Sequence, residues 1–255
     1  MIENYWDDDA RRLGEWLTDA GLELVVVRAH AGDPVPASLD GYAALVVLGG
    51  DQHVYPGPAG EPGAAWFADL EALLRTAVRE RVPTLGVCLG AQLLATAHVG
   101  TVAPAPAGPE IGAELVAKRD VAERDPLFGP LPMLLDVVQW HHDEVTELPA
   151  GAVLLAASTR YPHQAFRLGE SAWALQFHIE CDPAMIADWT KGNEALLAEL
   201  GTSPEAVVRG VEAVMDDAFE VWHPFATRFA ALARGELARS GPVPGAGREL
   251  PLLGG

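Results

Sequence analysis

A thiol set between two glycines opens the chemistry of this chain: Pro83-Thr84-Leu85-Gly86-Val87-Cys88-Leu89-Gly90-Ala91-Gln92-Leu93-Leu94. An apolar run enters a helical pattern through a tight turn, which is the pattern of a nucleophile elbow with cysteine in place of serine. Gly86 and Gly90 avoid Cβ clashes on either side of so sharp a turn. The sulfur is expected at the N-terminus of the following helix, where the dipole and unpaired N–H groups favour an anion. Ninety residues later comes Trp173-Ala174-Leu175-Gln176-Phe177-His178-Ile179-Glu180. Positions i and i+2 of an extended chain face one side, so Glu180 can hold the ring of His178. Cys88, His178 and Glu180 are therefore candidates for nucleophile, general base and orienting acid. Each piece alone has an ordinary structural reading, a packed core thiol or a surface His/Glu pair, and it is the combination that points to catalysis.

The elements that must position these groups follow from periodicity. Leu13, Trp16, Leu17 and Ala20 have helical spacing, and Gly21 suits a C-terminal cap. A strand is expected over 22–27. Ala43 to Leu48 is a continuous apolar run ending at Gly49-Gly50, as in a strand buried on both faces. A Pro/Gly-rich loop spans Tyr55 to Gly63, a helix is marked by Trp66 to Val78, a strand by Val82 to Val87, and a helix by Leu89 to His98. Alternating strand and helix predict a parallel sheet with helices on both faces. The first strand such a fold needs has only Met1-Ile2-Glu3 available, so it is either very short or begins upstream. Beyond Gly100 the segments 110–117, 134–140, 153–157, 163–167 and 172–177 read as strands and hairpins added to that core. Residues 183–234 return to helical spacing, and no internal repeat is present. The expected division is a catalytic domain over 1–195, a helical extension packed on it over 196–238, and a flexible tail over 239–255.

Composition narrows the function. The 255 residues are 49% hydrophobic and 21% charged, as in a globular protein, and no run of eighteen apolar residues or basic-then-apolar leader is present. Thirty-six acidic against seventeen basic residues give a net charge of −19, which argues against nucleic-acid and membrane partners. Two cysteines, Cys88 and Cys181, are too few for a disulfide framework, so a reducing, cytoplasmic setting is expected. Cys181 is expected to face away from His178 and Glu180 as a packed small residue, and the tryptophans, Trp189 and Trp222 included, are expected in the core.

Four segments resemble the class I, triad-type glutamine amidotransferases, in particular stand-alone proteins similar to the glutaminase domain of GMP synthetase. They are Leu48-Gly49-Gly50, the elbow from Gly86 to Gln92, Gln139-Trp140-His141-His142-Asp143, and Gln176 to Glu180; the likeness covers residues 10–190. It implies a three-layer, flavodoxin-like α/β sandwich with a mostly parallel sheet, plus C-terminal helices. It further implies that Cys88 attacks the side-chain amide of glutamine, His178 moves the protons and Glu180 orients it. The backbone N–H groups of Gly50 and Leu89 would meet the oxyanion, and Gly49, Gln92, His141, His142 and Asp143 would contact substrate or wall its pocket. No cofactor and no metal are implied. The chain departs from the family pattern at Asp51, His142 and Ile179, where relatives usually carry Pro, Gly and Pro; Asp51, His53 and His142 could reshape the pocket.

Rival readings are weaker. Adjacent histidines on a strand point to opposite faces, so His141-His142-Asp143 with His178 would chelate a metal poorly. An α/β-hydrolase would place its acid before its histidine, the reverse of the order here. A complete GMP synthetase is not expected, for want of room and of a Gly-rich phosphate loop. Three functions remain open: a glutaminase passing ammonia to a separate synthetase subunit, a free-standing γ-glutamyl hydrolase or peptidase, and an inactive regulatory subunit.

Overall fold

In the computed structural model, which describes residues 1–57, 60 and 62–239, the apolar runs of the first hundred residues lie side by side as parallel strands. In chain order they are β1 (Ile2–Glu3), α1 (Arg11–Asp19), β2 (Val27–Arg28), β3 (Leu45–Val47), α2 (Phe67–Glu80), β4 (Thr84–Val87) and α3 (Leu89–Ala97). The rest comprises β5 (Thr101–Pro104), β6 (Glu110–Lys118), β7 (Leu134–His141), β8 (Asp143–Glu147), β9 (Val153–Ala157), β10 (Ala165–Leu168), β11 (Ala172–Leu175), α4 (Pro183–Thr190), α5 (Glu194–Glu199) and α6 (Pro204–Ala233). Nine strands form one sheet in the order β2-β1-β3-β4-β11-β10-β9-β6-β7, and β5 pairs with β8 in a separate ribbon. From β2 to β11 the pairing is parallel. From β11 to β7 it is antiparallel. The sheet is thus a flavodoxin-like parallel half extended by an antiparallel half.

Side-chain alternation sorts the core into two layers. In β3, Val46 joins the apolar cluster of one face while Leu45 and Val47 join that of the other. Helices α2 and α3 cover the second face, and α1, α4 and α6 the first. β3 and β4 are buried throughout, the environment a continuous apolar run predicts. α6 begins at an N-cap Ser203, whose hydroxyl accepts from Ala206 N–H, with Pro204 in the first turn. Its stripe Val207, Val211, Met215, Ala218, Trp222, Phe225 and Phe229 is buried against the sheet. Trp222 Nε1–H also donates to the carbonyl of Asp136 in β7 at 2.9 Å.

Two boundaries differ from expectation. The strand expected over 22–27 is only Val27–Arg28, because it lies at the sheet's edge and has only the two residues of β1 to pair with. That first strand is short: Ile2 pairs with Val27 on one side and Val47 on the other. The boundary placed at 195/196 falls inside α5, and α6 shares one apolar cluster with α1, α4 and the sheet, so the last helices close the same core. From residue 240 onward the expected tail lies outside the described residues.

Strand order reverses between β1 and β3, and the crevice outside the carboxyl ends of such strands is where open α/β sheets hold ligands. Asn4, Gly49-Gly50, Cys88 and His178 all follow strand ends there or next to it. The glycines of the elbow are fixed by contact. A Cβ on Gly90 would stand 2.1 Å from the carbonyl oxygen of Val47, and one on Gly86 2.6 Å from that of Gly90. Gly90→Ala is expected to lose about 1–3 kcal/mol or more by overpacking in urea unfolding. Gly210→Ala, in α6 with nothing within 4 Å of the new methyl, should be neutral or gain up to about 1 kcal/mol.

Candidate active site

Cys88 occupies a backbone conformation that L-residues rarely adopt, with φ 49° and ψ −108°. Its N–H donates to Leu175 O at 2.7 Å, and its carbonyl accepts from Ala91 and Gln92, so β11 on one side and α3 on the other hold the turn. Such strain persists only where the surroundings over-determine it, and it commonly marks function. The sulfur emerges at the first turn of α3, 3.9 Å from the carbonyl of Trp140 and 3.8 Å from Nε2 of Gln176. Among the described residues no acceptor takes the N–H of Gly50 or of Leu89. Gly50 lies against the Leu89 side chain, 2.8 Å from where its own Cβ would stand. Asn4 braces this turn through Nδ2–H to Leu48 O at 2.8 Å, and Trp66 Nε1–H donates to its Oδ1 at 3.0 Å.

His178 is 2% exposed and Glu180 is fully buried. His178 Nδ1 meets Glu180 Oε1 at 2.6 Å, and Glu180 Oε2 accepts the N–H of Ile179 at 2.8 Å, so both carboxylate oxygens are engaged. Nε2 of His178 has no partner among the described groups. Burial pulls the imidazolium down, but the charge of Glu180, followed by Cys88 and Cys181, holds its pKa well above 6.5. Trp189 stands edge-on to the ring at 4.9 Å and is itself fixed by Nε1–H to Asp7 O at 3.1 Å. The backbone of His178 is tied to Val138 O at 2.8 Å.

Cys181 does not face away. His178, Glu180 and Cys181 bring ligand-type atoms within 4.8 Å of one another. The chain leaves the strand after Leu175, so the i, i+2 alternation of extended backbone no longer decides which side a residue takes. Burial, then the Glu180 charge, pushes the Cys181 thiol well up, which keeps it protonated. A metal held by this trio would have to displace the 2.6 Å His178–Glu180 bond and strip that proton.

A cavity of 580 Å³ opens beside Cys88, walled by Gly50, Trp140, His178 and Trp189 together with Asp7, Asp8 and Asp51. Of the expected substrate contacts, Gly49 backs onto this wall: its missing Cβ would overlap Asp8 Oδ2 at 2.1 Å and approach His178 Cε1 at 3.1 Å. Gln92, His141, His142 and Asp143 do not line the cavity. Gln92 is buried and spans Asp143 O and Gln176 Oε1, 3.4 and 3.3 Å away. His141 turns inward to Glu110 at 3.0 Å and Asp143 O at 2.8 Å, while His142 points to solvent, as strand alternation requires. Asp143 is taken by His53 and Tyr55 at 2.9 and 3.1 Å. Of the three unusual positions only Asp51 reaches the cavity; Trp140, one residue before the expected wall, is the strand residue that lines it.

Sequence reasoning missed Asp8 and Trp189. Asp8 is 5% exposed, its Oδ1 has no partner, and burial, eased by His178 but reinforced by Glu180, raises its pKa to about 8. Its signal was position: Asp7-Asp8-Asp9 follows the end of β1, at the switch point of the sheet. Trp189 does pack in the apolar core, as expected, but it also walls the cavity, and nothing local in the sequence places α4 against His178.

Fold and site together define a class: a flavodoxin-like α/β protein with a cysteine at a nucleophile elbow and a carboxylate-held histidine beside it. The model of the family "Glutamine amidotransferase class-I" matches residues 11–185, and the chain belongs to that family. It is 31% identical over 167 residues to the glutamine amidotransferase-like protein YfeJ of Salmonella typhimurium, covering 65% of this chain and 68% of that one. It is 28% identical over 175 residues to gamma-glutamyl peptidase 4 of Arabidopsis thaliana, covering 68% and 67%. A GMP synthase of Christiangramia forsetii is 31% identical over 147 residues, 57% of this chain but only 26% of that enzyme. Among solved structures, a glutamine amidotransferase from Methylobacillus flagellatus superposes with a TM-score of 0.78 at 26% identity, over 94% and 95% of the two chains.

Because the folded state holds the Asp8 proton up to about pH 8, against an ordinary 3.8, native protein binds more protons than unfolded chain between those values, and stability falls as pH rises through them. Asp8→Asn removes this liability. Relative to wild type it should gain stability between about pH 5 and about pH 8, by on the order of a few kcal/mol, read from urea midpoints across pH.

Proposed function

We propose that this protein is a cysteine amidohydrolase that cleaves the γ-amide bond of glutamine or of an N-substituted γ-glutamyl amide. The observation that carries this reading is the unpartnered Nε2 of a buried histidine whose Nδ1 is held by Glu180 at 2.6 Å, in the wall of the cavity that Cys88 enters. The Cys88 thiolate adds to the γ-carbonyl carbon, forming a C–S bond and an oxyanion, which the N–H groups of Gly50 and Leu89 receive. One such donor is typically worth about 3 kcal/mol of barrier. Collapse breaks the C–N bond as His178 gives its proton to the departing nitrogen, leaving a γ-glutamyl thioester. His178 then takes a proton from water, hydroxide adds, the C–S bond breaks, and glutamate leaves with the thiolate restored. Glu180 keeps the imidazole in the tautomer and plane that this requires.

Where the nitrogen goes separates two enzyme readings. In one, ammonia passes to a separate synthetase subunit, as the relation to GMP synthase suggests. In the other, the chain acts alone on γ-glutamyl amides, as the name of the Arabidopsis relative suggests. The cavity favours the second: 580 Å³ is within the roughly 300–1,000 Å³ typical of sites for drug-sized ligands, more room than glutamine alone would fill. Two free cysteines accord with a cytoplasmic setting.

The test is release of glutamate from glutamine and from γ-glutamyl amides by the purified chain. Cys88→Ala should fall to background, a loss of roughly 10⁴–10⁶-fold. Glu180→Gln should lower kcat by about 10²–10⁴-fold with a smaller change in KM. A protein that releases glutamate from none of these compounds, and whose Cys88 is not labelled by a glutamine-like electrophile, is the inactive regulatory subunit instead.

A further inference from the structure

The position of His178 fixes which end of the substrate meets which wall. Its Nε2 must reach the departing nitrogen, so whatever that nitrogen carries lies among the neighbours of His178. These are Asp8, which shares with His178 the space over Gly49, and Trp189, whose indole is bonded to the backbone of Asp7. The oxyanion is drawn toward Gly50 and Leu89.

Charge in this part of the cavity is unbalanced. Three carboxylates line it, Asp7, Asp51 and Asp188, with the carboxyl of Asp8, which keeps its proton to about pH 8, beside them, against one ammonium, Lys191. Lys191 is already committed to Asp188 at 2.5 Å. Arg11, whose charge acts on Asp7, sits on Asp9 at 3.0 Å and Asp182 at 3.6 Å. Asp7 and Asp51 are left without a salt-bridge partner among the described residues. Asp7 is held above its ordinary pKa by burial, then by repulsion from Asp51 and Asp188. Deeper in, the 95%-buried Asp8 presents an oxygen with no partner. Such a group is costly to leave unmade, which is an independent sign of a missing polar partner. Tyr5, Trp6, Trp140 and Trp189 complete the wall, and Trp6 is 69% exposed. Aromatic faces attract cations, whereas they offer nothing to an anion.

We propose that the leaving group accepted here is an amine carrying a second, positively charged nitrogen, so that the substrate class is the cationic N-substituted γ-glutamyl amides. The inference rests on the reading of Cys88 as the attacking group in that same site. The second nitrogen takes no part in bond making. It sits against Asp7 and Asp51 with its methylenes along the tryptophans, and it leaves with the amine once His178 has protonated the scissile nitrogen.

Three probes of equal chain length isolate the charge: γ-glutamyl-cadaverine, γ-glutamyl-hexylamine and γ-glutamyl-6-aminohexanoate, ending in ammonium, methyl and carboxylate. Glutamate release is read for all three and for glutamine. The expected order of kcat/KM is cationic over neutral over anionic, with the cationic amide ahead of the neutral one by about tenfold. That ratio should shrink as salt is raised, and it should fall toward unity in the double variant Asp7→Asn, Asp51→Asn. Equal turnover of the three amides, preference for the carboxylate, or turnover of glutamine alone overturns the substrate class while leaving the cysteine amidohydrolase standing. No glutamate from any compound removes both.

Discussion

A 2.6 Å bond between a nearly buried His178 and a fully buried Glu180 anchors the site, and the rest of the site is arranged around that fact. Removing two ionisable groups from solvent is expensive unless each is paired and its remaining atoms are bonded. Here the second carboxylate oxygen takes the N–H of Ile179, so Glu180 has no reason to move. The one atom left without a protein partner on the imidazole is Nε2. A ring whose far nitrogen is fixed and whose near nitrogen is free is built to give and take protons at that one atom. Close-packed neighbours enforce the plane: Trp189 stands edge-on to the ring, and Gly49 beneath it has no room for a side chain.

The fold supplies that arrangement through strand order. β3, β4 and β11 are adjacent and parallel, so the Gly49-Gly50 turn, the Cys88 elbow and the segment leading to His178 emerge at one edge although they are far apart in sequence. The hydrogen bond from Cys88 N–H to Leu175 O joins the elbow to the strand that delivers the histidine. The α4 and α6 helices then close the first face of the sheet over this edge and bring Trp189 with them. The last helices are accordingly part of the site's support: Trp222, deep in α6, packs on Phe177 at 5.2 Å, next in sequence to His178.

Much of this was legible in the residues. Cys88 between two glycines, an apolar run ending at Gly49-Gly50 and a histidine two positions before a glutamate each carry a local steric or periodic reason, and local reasons survive folding. The helical spacing of α6 was equally plain. What was not legible depended on tertiary approach. The inward turn of His141 needs Glu110, which lies 31 residues away on a neighbouring strand. Cys181 was misplaced because strand alternation was carried past the end of β11. Asp8 read as one of several N-terminal acids, since nothing within the run distinguishes the residue that folds beneath a histidine 170 positions later.

The central claim is that a γ-glutamyl group passes through Cys88. Its direct test is acid quenching of the protein during turnover of a γ-glutamyl amide, followed by peptide mass spectrometry. The account predicts one γ-glutamyl group on the peptide containing Cys88, none on that containing Cys181, and none in Cys88→Ala. Continued glutamate release by Cys88→Ala, or the acyl group on a residue other than Cys88, would contradict it.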